Sequence, residues 1–176
     1  NNDKVGLILF SENVEKFIVP KKGKTHVMRV IRELLYFKPK YKGTILKNSL
    51  DFISRVAKRK SVIFIISDFI DDGFWTSLKI LNKKHDILGI KLIDPSEVDF
   101  PDIGLAKIED QETQKVFWID TNSKDLRRKM KENVQIELKK FNEKSKKIGL
   151  DIINIFTDQD FVEPLLKYFK MREKRN

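Results

Sequence analysis

The segment Ser61-Val-Ile-Phe-Ile-Ile-Ser67 constrains the fold of this chain more than any other part of the sequence. It contains five consecutive apolar residues, rich in β-branched types, with no alternation between apolar and polar positions. A strand of this kind is typical of a parallel sheet that helices cover on both faces. The sequence therefore predicts a strand at residues 61–67 that is buried on both sides.

Further strands and helices alternate along the chain around this segment. Largely apolar strands are predicted at Ile87–Ile93 and Leu150–Phe156. Apolar residues at helical spacing predict helices over Val27–Leu35, Leu46–Ala57 and Phe74–Leu81, and a helix of about 25 residues that contains Leu126–Phe141. This alternation implies βαβ units and an α/β fold, a three-layer Rossmann-like domain with a mainly parallel sheet and helices on both faces.

Two pairs of strands are predicted to be antiparallel. Val5–Phe10 and Val14–Val19 are joined by a linker of hairpin length, so we expect them to pair and to add one antiparallel edge strand. Ala106–Glu109 and Val116–Ile119 flank the polar segment 110–114. This pattern predicts a β-hairpin inserted after a strand of the main sheet.

The length of 176 residues favours one domain, which we place at residues 1–170 with a basic tail at 171–176. The absence of Cys excludes a disulfide framework, thiol catalysis and thiolate zinc sites, and it suits a reducing compartment. No apolar run is long enough to span a membrane, and no secretory leader opens the chain. The chain has no initiator Met, which suggests a piece of a longer polypeptide. We expect a cytoplasmic location, with membrane association through upstream segments.

The net charge of +10 is concentrated in one predicted helix and in the tail. Residues 121–149 contain ten Lys and Arg against four Asp and Glu, and Phe141 is the single aromatic residue among them, so aromatic residues do not interleave there as a base-stacking surface requires. The pattern favours a solvated helix face or a contact with an acidic protein. Binding to nucleic acid or to anionic lipid stays open as the alternative.

Asp68 and Thr44 are the candidate metal ligands. Asp68 directly follows the apolar strand at 61–67, and ligands of open parallel sheets bind beyond the carboxyl ends of the strands. Thr44 precedes a predicted helix, and Mg²⁺ prefers oxygen ligands. Each residue also has a structural interpretation, as a turn or capping Asp before Gly73 and as a helix N-cap.

Other residues give weaker signals. The acidic cluster of Asp94, Glu97, Asp99 and Asp102 either shapes a loop or forms a second metal site. His85 lies at a helix-to-strand junction and is interpreted as a residue that caps the helix or satisfies backbone groups. Trp75 and Trp118 are interpreted as packing residues.

Several motifs that occur in one order support a family resemblance. They are Asp3-Lys-Val-Gly-Leu-Ile-Leu-Phe-Ser11, the break from Pro20 to Gly23, Gly43-Thr44, Ser67-Asp68-Phe69, His85-Asp86, Asp94-Pro-Ser-Glu97, and Phe100-Pro-Asp-Ile-Gly-Leu105 followed by Asp110-x-Glu-Thr113. With these motifs the chain resembles the C-terminal, von Willebrand factor A-like part of the bacterial domain-of-unknown-function family 58. The resemblance runs from Asp3 to about Arg172.

The resemblance implies a metal-ion-dependent adhesion site, built in the wider superfamily from Asp-x-Ser-x-Ser, a Thr and an Asp. Thr44 and Asp68 match the Thr and Asp positions, and the cofactor of the full-length protein would be Mg²⁺ or Mn²⁺. Asp-x-Ser-x-Ser is absent from this sequence, and Ile45 follows Thr44 where family members often have Asp. We therefore expect metal binding by this segment to be weak or absent. The family's sheet would also lack its first strand, which predicts a rearranged or partner-filled sheet.

The function implied by the resemblance is that of a non-enzymatic protein-interaction domain. Its expected partner is a MoxR-type AAA+ ATPase or another protein that supplies a carboxylate to the metal, and unpaired strand edges could join copies into a homo-oligomer. One alternative is a metal-dependent phosphoesterase or nuclease that uses Asp68, Asp71 and Asp94. The other is nucleic-acid binding by lysines of the basic helix, namely Lys129, Lys139, Lys140, Lys146 and Lys147.

Overall fold

The computed structural model of the chain describes residues 3–99, 101–109 and 116–174. Its elements are β1 (Val5–Phe10), β2 (Val14–Lys21), α1 (Lys24–Leu35), α2 (Leu46–Val56), β3 (Val62–Ser67), α3 (Trp75–Lys84), β4 (Asp86–Ile93), α4 (Pro95–Val98), β5 (Leu105–Glu109), β6 (Val116–Asp120), α5 (Lys124–Lys147), β7 (Asp151–Phe156) and α6 (Val162–Glu173). The chain divides into two compact units. The first comprises residues 1–58 and 71–78, and the second comprises residues 59–70 and 79–176.

The first unit is built on the antiparallel hairpin of β1 and β2, with α1 and α2 following it. The predicted pairing of these two strands is confirmed. Leu46 and Leu50 of α2 are fully buried, as the helical spacing requires. The ring of Phe52 on α2 meets that of Phe17 on β2 edge to face, with centroids 5.2 Å apart. This contact fixes α2 against the hairpin.

The second unit contains a parallel sheet in the order β3-β4-β7. Strand β4 is central and pairs with β3 from Asp86 to Lys91 and with β7 from Leu88 to Ile93. Helix α3 ends just before β4, and helix α5 ends just before β7. This order is expected for βαβ connections. The predicted α/β class with a parallel sheet is confirmed.

Helices cover both faces of this sheet over β4. On one face, Leu88 and Ile90 form a buried cluster with Ile153 and Ile155 of β7 and with Tyr168 of α6. Successive residues of a strand point to opposite faces, so Lys91 lies on the other side. There its ammonium is 4.8 Å from the centroid of the Phe141 ring on α5.

Strand β3 differs from the prediction. Val62, Phe64 and Ile66 are 58%, 48% and 57% exposed, whereas Ile65 is only 5% exposed. The prediction that residues 61–67 are buried on both sides is therefore wrong for one face. The physical reason is that the α6 cluster packs over β4 and β7, so the even-numbered side chains of β3 lie beyond it.

The strands form three separate sheets within the residues that the structure describes. The β1-β2 hairpin makes its own two-stranded sheet, so it is not an edge of the parallel sheet as predicted. The inserted hairpin of β5 and β6 is confirmed, with Leu105 opposite Asp120. Its predicted tip at 110–114, like Phe100, lies outside the described residues.

The last helix continues to Glu173, three residues into the segment 171–176 predicted as a basic tail. Arg172 is bound at the amino ends of the strands, where its guanidinium pairs with the Asp86 carboxylate and donates to the Tyr168 hydroxyl at 2.9 Å. That hydroxyl donates in turn to Asp151 at 2.9 Å. Burial and the Asp151 carboxylate raise the pKa of Tyr168, which keeps its phenol protonated. The network ties α6 to β4 and β7.

Truncation of Leu88 tests whether the cluster under α6 stabilises the second unit. Leu88 is 0% exposed, and Leu88→Ala should lower the free energy of unfolding by about 2–5 kcal/mol, because it removes buried methyl groups and leaves a cavity. Urea denaturation followed by far-UV circular dichroism measures the change. Leu166→Ala on α6 is the control, because Leu166 is 53% exposed. A similar loss in both variants would contradict the assigned core.

Candidate functional site

The carboxyl ends of β3 and β4 lie at the same edge of the parallel sheet. Asp68 follows β3 directly and Asp94 follows β4 directly. Ser67 and Lys91 are paired in the register of the two strands. This edge therefore brings together a carboxylate from each of two connections, a hydroxyl and an ammonium, at the place where open parallel sheets bind their ligands.

Asp68 is exposed, and local hydrogen bonds orient its carboxylate. Its Oδ1 accepts from the Ser67 hydroxyl at 3.3 Å and from the Ile70 amide at 3.4 Å. The Ser67 hydroxyl oxygen accepts from the Phe69 amide at 3.1 Å. The interpretation of Asp68 as a turn residue is therefore confirmed, and its exposure leaves it accessible for binding as well.

The turn after Asp68 contains a strained residue. Phe69 has a φ of 55°, a left-handed conformation that is rare for a bulky side chain. Its side chain is buried, and the centroid of its ring lies 5.2 Å from that of Phe141. This packing holds the strained backbone in place, and such strain is concentrated at binding and catalytic sites.

Lys91 is the cation of this edge. Its ammonium donates to the main-chain carbonyl of Asp68 and lies over the Phe141 ring. Burial lowers the pKa of Lys91, while the carboxylates of Asp68 and Glu97 partly oppose that shift. Nearby carboxylates stabilise the charged form of a partly desolvated ammonium.

The pKa of Glu97 on α4 is raised, whereas that of Lys91 is lowered. Burial raises the pKa of Glu97, the negative charges of Asp94 and Asp68 raise it further, and the Lys91 ammonium opposes them. Asp94 caps α4 by accepting from the Ser96 amide at 2.8 Å and the Ser96 hydroxyl at 2.7 Å. These bonds lower the pKa of Asp94. The edge therefore combines the carboxylate of Asp94, which caps α4, with the carboxylate of Glu97, whose raised pKa disfavours ionisation.

The rest of the predicted acidic cluster is paired with α5. Asp99 accepts from Lys131 at 3.2 Å, and Asp102 pairs with Arg127 at 2.7 Å. The structure therefore favours the loop-shaping interpretation of the cluster. Over residues 3–99, 101–109 and 116–174 there is no group of three or more His, Cys, Asp or Glu side chains that could hold a metal ion.

Thr44 belongs to the first unit and Asp68 to the second. Thr44 is exposed and precedes Ile45, which is the N-cap residue of α2 without a side-chain bond. The interpretation of Thr44 as the N-cap is therefore wrong. The Ile45 amide instead donates to the Ser11 carbonyl at 3.0 Å, which anchors the loop to the β1-β2 hairpin. A metal site shared by Thr44 and Asp68 stays a prediction.

Two other interpretations are corrected. His85 is 5% exposed, and neither of its ring nitrogens has a hydrogen-bond partner in the part of the chain that the structure describes. It therefore does not cap a helix or satisfy the backbone, and burial lowers its pKa, which favours the neutral ring. Trp118 is 64% exposed on β6 and is not a core residue.

The exposed Trp118 belongs to a hairpin that exposes apolar side chains on both faces, because Phe117 and Trp118 are successive residues of β6. Leu105, Phe117 and Trp118 are 65%, 51% and 64% exposed. The base of the hairpin is fixed by the Thr121 hydroxyl, which donates to the Gly104 carbonyl at 2.6 Å and accepts from the Ile103 amide at 3.0 Å. The hairpin therefore presents aromatic side chains from a fixed base.

The first unit contains a cleft of about 580 Å³ between β2 and α2. Asp51 in its lining accepts from Lys47 at 2.8 Å and from Ser77 at 2.7 Å. Both bonds lower the pKa of Asp51. Because these internal bonds already satisfy its carboxylate, the edge of the parallel sheet is the better candidate site.

Comparison with known sequences decides the family. The family described as "Protein of unknown function DUF58" matches residues 1–140. The chain belongs to the DUF58 family. The resemblance drawn from the sequence motifs is therefore confirmed at the level of the family.

Similar curated proteins come from mycobacteria. The uncharacterized protein MAV169 of Mycobacterium avium is 27% identical over 132 residues, which cover 73% of this chain and 76% of that protein. The uncharacterized proteins Mb1516 of Mycobacterium bovis and Rv1480 of Mycobacterium tuberculosis are 24% identical over 129 residues, or 72% of this chain. The chain spans 40% of the length of these two relatives. No solved structure matches the chain.

Sequence reasoning found Asp68 in the DUF58 chain and placed Glu97 in an acidic cluster, but it missed Lys91. The available signal was Lys91 itself, the one charged residue inside the apolar run Ile87–Ile93. A lysine within a buried strand requires a partner.

The helices of the described segments include none that is long and apolar enough to cross a membrane.

The raised pKa of Glu97 predicts a pH-dependent stability. The folded state binds the proton more tightly than the unfolded chain, so ionised Glu97 destabilises the fold above its folded pKa and this cost disappears as the pH falls toward the ordinary value of 4.5. Glu97→Gln should therefore be more stable than the wild type at pH near 7, and the difference should shrink on acidification. Urea denaturation at several pH values checks this.

The matched control for this experiment is Glu143→Gln on α5, because Glu143, like Glu97, is an exposed glutamate on a helix. Its stability should follow that of the wild type across the same pH range. A Glu97→Gln variant that is less stable than the wild type at neutral pH would contradict the assigned environment of Glu97.

Proposed function

We propose that this DUF58 chain is a non-enzymatic protein-interaction domain whose partner binds at the carboxyl edge of the parallel sheet. The observation that carries the proposal is the arrangement of Asp68, which is exposed at the end of β3 and held by Ser67 and the strained turn at Phe69. A fixed, exposed carboxylate at this edge suits recognition of a partner. It requires no nucleophile or general base.

The exposed hairpin supports an interaction role. Large aromatic residues such as Phe117 and Trp118 are enriched among the residues that dominate protein–protein binding energy. The hairpin follows β4 and α4 in the chain, and Arg127 of α5 bonds to the Thr121 carbonyl at 2.8 Å beside its base. A partner that contacts the hairpin would gain apolar burial in addition to the polar contact at Asp68.

The proposal includes a divalent cation, Mg²⁺ or Mn²⁺, in the full-length protein. Carboxylate and hydroxyl oxygens are the donors that such hard cations prefer, and Asp68 with Thr44 would supply one of each. Two donors are fewer than an octahedral ion requires, and the Lys91 ammonium at the Asp68 carbonyl adds a competing positive charge. The residues of this chain therefore fit such an ion only in part, which supports weak or absent binding without Asp-x-Ser-x-Ser.

The proposed partner is a MoxR-type AAA+ ATPase, and the family resemblance supports this choice. When the cation is bound, the partner would contribute an acidic side chain to it. When no cation is bound, the partner would contribute a basic side chain to Asp68. These two modes differ in their metal dependence. Binding in the presence of Mg²⁺ and after its removal by a chelator therefore separates them.

Binding of the chain to a purified MoxR-type ATPase tests the proposal. Asp68→Ala should weaken the affinity by about tenfold, as expected for the loss of one important polar contact. Biolayer interferometry with the immobilised chain measures the dissociation constant. Glu143→Ala is the matched control, because Glu143 is an exposed carboxylate near the end of α5 that leads into the amino end of β7.

Equal affinities of the Asp68→Ala variant and the wild type would remove the sheet edge from the proposal. For the metal, calorimetric titration of the full-length protein with Mn²⁺ gives a separate result. If the Asp68→Ala variant binds Mn²⁺ as tightly as the wild type, the metal-dependent mode is wrong.

A further inference from the structure

Basic residues precede each of the three parallel strands. They are Arg59 and Lys60 before β3, Lys83 and Lys84 at the end of α3 before β4, and Lys146 and Lys147 at the end of α5 before β7. Parallel strands begin on the same side of their sheet, so the three pairs lie along one edge of the second unit. We call these six residues the basic edge.

Hydrogen bonds across this edge join the segments that carry the cations. The Asp86 amide donates to the Ser61 carbonyl at 2.9 Å, which connects the starts of β3 and β4. The Asn82 side-chain amide donates to the Ile148 carbonyl at 3.1 Å and to the Gly149 carbonyl at 3.0 Å, which connects the ends of α3 and α5. The basic edge is therefore one continuous surface.

The charges of the basic edge are not neutralised within the chain. All six side chains are exposed, and none forms an ion pair with another residue that the structure describes. The two carboxylates at the starts of the strands are already bound, since Asp86 pairs with Arg172 and Asp151 accepts from the Tyr168 hydroxyl. An excess of positive charge therefore faces the solvent.

The cations spread over both faces of the sheet. Helix α5 packs on the face of Lys91, whereas α6 packs on the opposite face and ends at the same edge. Lys170 and Lys174 near the end of α6 add two exposed cations, which offset the exposed Glu143 and Glu173. The positive surface is therefore two-dimensional, and it is wider than a single row along the strands.

This arrangement fits a flat anionic surface. A cation in the last turn of a helix also stabilises that helix, but that role does not require the cations of several segments to meet at one edge. Clusters of four to eight Lys and Arg bind anionic lipid headgroups. A nucleic acid instead presents its phosphates along a helix axis, so it would leave part of a two-dimensional surface without contacts.

We propose that the basic edge binds the headgroup phosphates of an anionic lipid bilayer. Long lysine side chains reach the headgroups without insertion of apolar residues, so the binding is electrostatic and reversible. The Asp68 edge lies about 20 Å away along the strands and stays accessible to a partner while the chain is bound. The inference does not rest on the proposed function, because it uses the opposite edge of the sheet.

Co-sedimentation with vesicles tests the proposal. The chain should bind vesicles of equimolar phosphatidylglycerol and phosphatidylcholine at low ionic strength, and it should not bind vesicles of phosphatidylcholine alone. Salt at about 0.5 M should release it, because the Debye length then falls to roughly 4 Å.

Paired substitutions on α5 locate the surface. Lys146→Gln/Lys147→Gln should weaken binding to the anionic vesicles by about tenfold, because two cations near the membrane are lost. The matched control is Lys124→Gln/Lys129→Gln, which removes the same charge from exposed positions about 30 Å away near the other end of the helix. The control should bind as the wild type does. Circular dichroism during thermal unfolding checks that both variants are folded.

A second pair tests whether the edge acts as one surface. Lys83→Gln/Lys84→Gln should weaken binding by a similar factor, and the combination with Lys146→Gln/Lys147→Gln should lose both factors, since the cations contact the membrane together. A combined variant that binds as tightly as either pair alone would contradict a shared surface.

Two other results would overturn the proposal. The first is the absence of binding to the anionic vesicles at low ionic strength. The second is an equal loss in Lys146→Gln/Lys147→Gln and in its control, because the attraction would then follow the net charge alone. A labelled DNA duplex in the same buffer tests the alternative partner. If the chain binds the duplex through Lys146 and Lys147 but ignores the vesicles, the basic edge recognises nucleic acid and the proposal is wrong.

Discussion

The burial of β4 between β3 and β7 is the constraint on which the second unit depends. Leu88 and Ile90 are buried under α6, while the other face of β4 must also accept close packing. Gly89 makes this possible, because a Cβ there would lie 2.3 Å from the Ile152 Cδ1 and 3.4 Å from the Phe69 ring. The absent side chain lets the Phe69 turn and β7 approach the same point. A strand fixed on both edges and both faces then determines the positions of the groups at its two ends.

The two ends of the sheet use charge differently. At the amino end, the Arg172 guanidinium joins the Asp86 carboxylate and the Tyr168 hydroxyl in a closed network that holds α6. At the carboxyl end, the Lys91 ammonium bonds to a main-chain carbonyl, while the exposed Asp68 carboxylate accepts from the Ser67 hydroxyl and the Ile70 amide. Charges satisfied by one another stabilise the fold, whereas an exposed carboxylate beside a half-buried ammonium remains able to bind a further group.

The succession of helices and strands was predictable because apolar periodicity is a local property of the sequence. The position of a strand within its sheet was not predictable from the same pattern. The continuous apolar run of β3 is longer than that of β4, but β4 is the central strand of the described parallel sheet and β3 is an outer one. Asp68 could be predicted because it follows an apolar strand and matches a family motif. The environment of Lys91 could not, because its contacts come from the turn after β3, from α4 and from α5, which only tertiary packing brings together.

The two outer strands of the described parallel sheet carry different side chains. Strand β7 begins with Asp151 and exposes Asn154 near its middle. Strand β3 exposes Val62, Phe64 and Ile66, and the left-handed Phe69 follows the end of its ladder with β4. An apolar side chain of a strand is buried only where a helix packs over it, and the cluster with α6 lies over β4 and β7. A continuous apolar run therefore predicts a strand, whereas the depth of its burial depends on which strands the helices cover.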